Sequence, residues 1–199
     1  ILIRHGQTEW NRVERFRGRF DVPLNAAGVE QAERTARHVI KHWQPQAVYS
    51  SPLSRAVQTA KAIASSCGQS VIIEPALADI DYGEWQGYTP AEAKAIWPQQ
   101  AAAWYEHPET ALIPGGETLQ QVRSRAAEAV FRAAEMHSGQ TFVMVSHTVV
   151  NRLILLEALK LGNDRFWRLR QEPCAVNVIE IEGQECTLRL LNDTCHLEG

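Results

Sequence analysis

The sequence predicts an α/β fold in three layers, a mainly parallel central sheet with helices packed on both faces. Two observations carry this expectation. Short apolar or β-branched runs alternate with amphipathic helical runs along most of the chain, the pattern of strand–helix–strand crossovers. One of those runs, Thr141–Ser146 (TFVMVS), is apolar almost throughout, as a strand covered on both faces requires.

The elements follow in order. Residues 1–3 are apolar and stop at Arg4-His5-Gly6, which reads as the end of a buried strand. Residues 10–23, rich in Arg and holding Gly18 and Pro23, read as a long loop. Asn25 is an N-cap for a helix whose apolar face is Val29, Ala32, Ala36, Val39, Ile40 and Trp43. Residues 46–50 form a short strand. Ser51-Pro52 then reads as an N-cap with Pro at the first position of a helix over 52–66, which puts Arg55 in or near its first turn. Residues 70–74 are a third strand. Thr89 and Glu92 form a capping box that opens another helix. After the turn at Pro114-Gly115-Gly116, a long helix over 118–137 carries Leu119, Val122, Ala126, Ala129, Val130 and Ala133 on its apolar positions. A helix over 149–160 follows the strand Thr141–Ser146. Residues 176–181 and 186–191 form a hairpin around Gly183. With no repeat, low-complexity tract or linker, a single domain over 1–199 is expected.

Composition excludes several functions. The 199 residues are 45% hydrophobic and 22% charged, with a net charge of -3. A balanced, slightly acidic chain is a poor partner for nucleic acid or anionic membranes. No apolar run reaches the roughly 18 residues of a membrane span; the longest, 149–161, is interrupted by Asn151, Arg152, Glu157 and Lys160. Cys67, Cys174, Cys186 and Cys195 are scattered, without the spacing of a zinc site, and read as reduced thiols of a cytoplasmic protein. Ile1 opens the chain inside an apolar run and without an initiator Met, so upstream residues are expected, with room there for a targeting segment.

The chemistry-bearing residues collect at strand ends. Arg4-His5 follows the first strand and Ser146-His147 the fourth. Ligands of open α/β sheets gather at the carboxyl ends of the strands, so both histidines can share one cleft. Arg4 and Arg55 beside them make an anion site that matches a phosphate dianion. Taken singly, each His or Arg is an ordinary structural or surface residue; together they are not. His5 and His147 as metal ligands lack a third and fourth partner.

The chain resembles the histidine phosphatase superfamily, the clan of cofactor-dependent phosphoglycerate mutases and related phosphatases. Arg4-His5-Gly6-Gln7-Thr8-Glu9-Trp10-Asn11 matches its RHGxTxWN signature, and Ser50-Ser51-Pro52-Leu53-Ser54-Arg55-Ala56 its SSPLxRA segment. Asp81-Tyr82-Gly83-Glu84-Trp85-Gln86-Gly87, Gly115-Gly116-Glu117-Thr118 and Val145-Ser146-His147 follow in family order. The resemblance implies a phosphoglycerate mutase-like three-layer α/β/α sandwich and a phosphomonoesterase that needs no metal or other cofactor. It implies His5 as the nucleophile, forming a phosphohistidine. Arg4, Asn11, Arg55 and a protonated His147 would hold the phosphoryl oxygens. Asp79 would be the general acid and base, one methylene shorter than the family's usual Glu, with Glu84 and Asp81 as fallbacks. A carboxyl beside a phosphate is expected to hold its proton, as the acid role needs.

The length leaves little room for the lid that keeps water out of the mutases, so phosphatase is preferred over mutase; an inactive binding module is disfavoured because His5, Arg4, Arg55 and His147 are all present. The segment Asn192-Asp193-Thr194-Cys195-His196-Leu197 resembles that of the metal-independent phosphoserine phosphatases. The expected substrate is accordingly phosphoserine or another small phosphorylated acid or sugar. By the same resemblance Arg17, Tyr82, Glu84, Gly116 and His196 surround it. Tyr82 stands where those phosphatases have a His, and Arg17 where many relatives have Gln. Arg12, Arg15, Arg17 and Arg19 read as a solvated loop, or as a basic rim that attracts anions. The tryptophans, including Trp97, Trp104 and Trp167, read as packing or lid residues. The late strands offer an edge on which a homodimer could form.

Overall fold

The structure is a computed structural model that describes residues 1–13 and 15–198; the side chain of Arg12 and the part of the arginine loop at residue 14 lie outside what is described. The elements are β1 (Leu2–Arg4), α1 (Glu9–Arg12), α2 (Ala26–His42), β2 (Pro45–Ser50), α3 (Ser54–Ser66), β3 (Val71–Ile73), α4 (Pro90–Ile96), α5 (Pro98–Glu106), α6 (Leu119–Met136), β4 (Thr141–Ser146), α7 (Thr148–Ala158), β5 (Val176–Glu182) and β6 (Glu185–Asp193). The strands form one sheet in the order β3-β2-β4-β1-β5-β6. The pairs β2–β3, β2–β4 and β1–β4 are parallel, whereas β1–β5 and the hairpin β5–β6 are antiparallel. No described helix is long and apolar enough to cross a membrane.

Two cores lie on opposite faces of the sheet. Ala36 and Val39 of α2 and Ala56, Ala60 and Ile63 of α3 pack on Ile3, Val48, Val143 and Val145. Leu119, Val122, Ala126 and Val130 of α6 and Leu153 and Leu156 of α7 pack on Leu2, Tyr49 and Met144. The strands alternate between these clusters, as side chains of period two must. Truncating a fully buried Leu such as Leu153 would cost about 2–5 kcal/mol.

Local signals set most helix starts. The Asn25 side chain accepts from the Gly28 amide at 2.9 Å. Thr89/Glu92 and Thr118/Gln121 both close reciprocal capping boxes. Four local expectations are corrected. Residues 10–12 of the expected loop wind, with Glu9, into α1, capped by Thr8 and Asn11. The unforeseen α5 starts at Pro98, directly after α4. On α2, Val29 and Ile40 are 45% and 40% exposed, because the buried stripe centres on Ala32, Ala36 and Val39 and they lie at its margin. The helix after Ser51-Pro52 begins at Ser54, two residues late: Leu53 is still extended, although the Ser51 hydroxyl accepts from its amide at 3.3 Å while lying 2.7 Å from His147 Nε2.

Candidate active site

The parallel pairing of β1 with β4 places Arg4 opposite Ser146. The next residue on each strand, His5 and His147, therefore leaves the sheet at the same edge. Their ring centroids are 5.1 Å apart and both side chains are fully buried. His5 Nδ1 lies 2.7 Å from the Gly6 carbonyl oxygen. A carbonyl only accepts, so Nδ1 carries the proton and Nε2 the lone pair. The backbone that fixes this tautomer is clamped. A Cβ on Gly6 would stand 2.5 Å from the Gly28 carbonyl oxygen, and one on Gly28 would stand 2.1 Å from that of Gln7. The first turn of α2 thus presses on the segment after His5 at a distance that only glycine permits.

Guanidinium groups surround the two rings. Arg4 donates from Nη1 to the Gln171 carbonyl at 2.5 Å. Arg55, in the first turn of α3 and completely buried, donates to the carbonyls of Phe20 at 2.8 Å and Gly18 at 3.0 Å and to Asp79 Oδ2 at 3.2 Å. Arg17 turns inward, where burial lowers its pKa and Asp79 and Tyr82 oppose the shift. Burial and Arg17 bring the pKa of Arg4 down to about 9, so it stays cationic at neutral pH.

The same field acts on the histidines. Burial, then Arg55, Arg4 and Arg17, hold His5 well below the usual 6.5. Burial, then Arg55, His5, Arg17 and Arg4, do the same to His147. His5 is therefore neutral, with its Nε2 lone pair free of a proton. The expectation of a protonated His147 is corrected for the ligand-free protein, because burial, and after it the cations that suit an anion, expel a proton.

Asp79 is 5% exposed. Its Oδ2 faces Arg55 and stands 3.6 Å from His147 Nδ1, while Oδ1 accepts from the Ile80 amide at 3.0 Å. A buckle holds its loop. Arg125 donates to the carbonyls of Ala76, Ala78 and Asp79 at 2.5, 2.8 and 3.2 Å. The same guanidinium forms a bidentate pair with Glu117, both bonds being 2.9 Å. Burial would raise the pKa of Glu117, but the bonds from Arg125 and the Asp81 amide outweigh it and keep the group ionised. Ser146 Oγ donates to the Leu77 carbonyl at 2.7 Å, joining the same loop to the end of β4.

The other expected site residues divide. Tyr82 faces Asp79, Arg17 and Arg152 while packed on Phe16 and Trp104; burial raises the pKa of its phenol, which stays protonated. Asn11 Oδ1 accepts from the Thr8 amide and hydroxyl, both at 2.9 Å, and its Nδ2 carries the donors that an oxyanion could use. The fallback acid Asp81 caps a turn, accepting from the Gly83 amide at 2.8 Å. Glu84 is exposed. The Gly116 amide is committed to the Ile113 carbonyl, and a Cβ there would stand 2.5 Å from the Asp81 carbonyl oxygen, so Gly116 packs two loops together. His196 does not reach the cleft. It lies against α2, stacked on His38 with centroids 4.7 Å apart, and bonded to Thr35 at 2.9 Å. The basic rim is corrected too, since Arg15 pairs with Glu92 and Arg19 with Glu117. Trp85 and Trp104 are buried packing residues, and Trp167 is 38% exposed.

The sequence reading missed Arg152, on α7 five residues after His147. Its guanidinium lies 5.0 Å over the Phe166 ring and 5.1 Å over that of Trp167. Burial lowers its pKa, and its charge acts on both Tyr82 and Arg4. A lone arginine in an apolar helix just after His147 was the available signal. The cleft thus gathers Arg4 Nε, Arg17 Nε, Arg55 Nε, Arg152 Nε, His147 Nδ1 and His5 Nε2, all buried and without a hydrogen-bond partner among the described residues. Buried polar atoms are rarely left so, and a cluster of them marks where a ligand binds. A roomy groove at the opposite end of the sheet, lined by Ile1, Phe131, Phe142 and Ile179, holds no such atoms.

Comparison with known proteins agrees with this geometry. The family model for the histidine phosphatase superfamily (branch 1) matches residues 1–194. Phosphoserine phosphatase 1 of Hydrogenobacter thermophilus is 34% identical over 99% of this chain and 93% of its own length. Phosphoglycerate mutase-like protein 4 of Arabidopsis thaliana is 34% identical over 100% of this chain and 86% of its own. Among solved structures, YhfR of Bacillus stearothermophilus superposes with a TM-score of 0.94 at 28% identity, over 99% of this chain and 98% of its own. The chain belongs to the histidine phosphatase superfamily.

Proposed function

We propose that the protein hydrolyses a small phosphomonoester through a phosphohistidine on His5, with no metal ion in the reaction. The observation that carries this reading is the lone pair on buried His5 Nε2 in the field of Arg4, Arg17 and Arg55, whose Nε donors, like that of nearby Arg152, are buried and unpartnered among the described residues. A dianion satisfies those donors together, whereas the same guanidiniums repel a metal cation.

His5 Nε2 attacks phosphorus as the bond to the ester oxygen breaks. Arg4, Arg55, Asn11 and the neutral His147 donate to the three equatorial oxygens, where charge is spread in the transition state. The incoming dianion competes with Asp79 for Arg55. A carboxylate losing its cation beside a dianion takes up a proton. Asp79 gives that proton to the leaving oxygen, then accepts one from the water that attacks the phosphohistidine. Phosphate leaves and the lone pair returns to His5. The Arg125–Glu117 buckle keeps Asp79 at this distance.

The charge count points to the substrate. A phosphoryl group is matched by Arg4 and Arg55, which leaves Arg17 and Arg152 for a second anionic group, beside the Tyr82 hydroxyl. A small phosphorylated carboxylic acid fits, and phosphoserine is the first to test, given the relative so named. The experiment measures phosphate release from phosphoserine, 3-phosphoglycerate, sugar phosphates and an aryl phosphate, with a chelator present. The phosphorylated acids are expected to have the highest kcat/KM, unchanged by chelator. Loss of turnover with chelator would overturn the metal-free reaction. Isomerisation of 3-phosphoglycerate outpacing phosphate release would make the protein a mutase.

A further inference from the structure

We propose that His38, Asp193, Cys195 and His196 form a binding site for a borderline-soft divalent transition metal ion, zinc being the best match, separate from the phosphate cleft. The potential ligand atoms of these four residues lie within 4.8 Å of one another. His38 comes from α2, and the other three from the end of β6 and the turn after it. No local sequence spacing announces such a site, because one ligand lies more than 150 residues from the rest.

The hydrogen bonds around His196 set its tautomer. Thr35 Oγ1, fully buried, donates its only proton to the Gln31 carbonyl at 2.8 Å. The same oxygen lies 2.9 Å from His196 Nε2; with its own proton on the Gln31 carbonyl it accepts there, which puts the ring proton on Nε2. The lone pair is then on Nδ1, which is buried and has no hydrogen-bond partner among the described residues. Metal-binding histidines are typically held this way, with the second ring nitrogen donating to a neighbouring oxygen. Asp193 also divides its two oxygens. Oδ1 caps the terminal turn, accepting from the Cys195 amide at 3.0 Å. Oδ2 faces Cys195 Sγ at 3.3 Å and His38 Nε2 at 3.9 Å.

Two imidazoles, a thiol and a carboxylate are a tetrahedral zinc donor set. Zinc bonds of about 2.0–2.3 Å place such donors roughly 3.3–3.8 Å apart, so the cluster must close by about 1 Å. Cys195 is exposed and lies on a terminal turn, where that movement is easy. Binding releases the thiol proton to solvent. The occupied site would tie the C-terminal turn to α2 and take no part in hydrolysis.

The test uses the full chain after metal removal, titrated with zinc and, separately, with cobalt(II). One equivalent of zinc is expected to bind. Cobalt should give a thiolate-to-metal absorption band with the intense visible bands of a tetrahedral centre. Cys195→Ser should abolish the thiolate band and weaken zinc binding about 100-fold, with phosphate release unchanged. Thr35→Val, which keeps the side-chain shape and removes the acceptor for Nε2 together with the bond to the Gln31 carbonyl, should weaken binding about tenfold. Two results would overturn the proposal: zinc affinity equal in the parent and both variants, or zinc binding lost on His5→Ala instead. Either can occur with phosphatase activity intact, so failure here is distinct from failure of the proposed reaction.

Discussion

Two of the close imidazole pairs in the protein have surroundings that differ in sign. His5 and His147 are 5.1 Å apart, and His38 and His196 are 4.7 Å apart. Around the first pair stand Arg4, Arg17 and Arg55, with Asp79 already paired to Arg55. Around the second stand Asp193 and Cys195, with Lys41 and His42 also acting on His38. A neutral imidazole is equally a nucleophile, a hydrogen-bond donor or a metal ligand. The neighbours select among these roles: guanidiniums make the first pair an anion site, and a carboxylate with a thiol make the second a cation site.

The largest expected effect breaks the first pair. His5→Ala should lower phosphate release by at least about 10⁴-fold, since no covalent intermediate can form. It should leave zinc binding at His38 and His196 unchanged. Steady-state hydrolysis measured beside a zinc titration checks both halves, and near-parent turnover would remove the phosphohistidine from the mechanism. Asp79→Asn comes next. It keeps an acceptor for Arg55 but cannot move a proton, so kcat should fall by about 10²–10⁴-fold. An aryl phosphate, whose leaving group needs little protonation, should then accumulate phosphorylated enzyme in rapid-quench experiments. Equal loss in both half-reactions without that accumulation would argue for a structural role of Asp79.

Smaller effects sharpen the contrast. Arg152→Ala should raise KM for phosphoserine about tenfold or more and leave an aryl phosphate nearly unaffected. A uniform loss on both substrates would place Arg152 on the phosphoryl group instead. The smallest effect concerns stability. His147 has a lower pKa folded than unfolded, so below 6.5 the unfolded chain binds a proton that the folded one does not. Its contribution is therefore full above 6.5 and declines as pH falls towards the folded value. Thermal melts at pH 7.5 and pH 5 should show a smaller drop in His147→Gln than in the parent. An equal drop would mean that His147 is not kept neutral by folding.

What was legible in the sequence was mostly local. Asn25, Thr89 and Thr118 announce their helices because the capping partners lie three residues away. His5 and His147 were legible as a pair because both end strands that read as buried. Side-chain direction in the arginine loop was not, because Arg15 and Arg19 are drawn outward by Glu92 and Glu117, while Arg17 turns towards Asp79. Arg125 looks like any helical surface arginine until the fold brings the Ala76–Asp79 backbone over it. His196 was misplaced because the local resemblance of its segment does not report which way the terminal turn packs. That direction is set by Thr35 and His38 on a distant helix.

The bond from His5 to the Gly6 carbonyl also has a chemical signature. With Nδ1 committed to its proton, the proposed phosphorylation would fall on Nε2 and give only the tele form of the two phosphohistidine isomers. Its pros isomer would require the ring to turn over inside a fully buried site. Trapped enzyme should therefore give a single isomer by phosphorus NMR or isomer-selective antibody, labile in acid and stable in alkali.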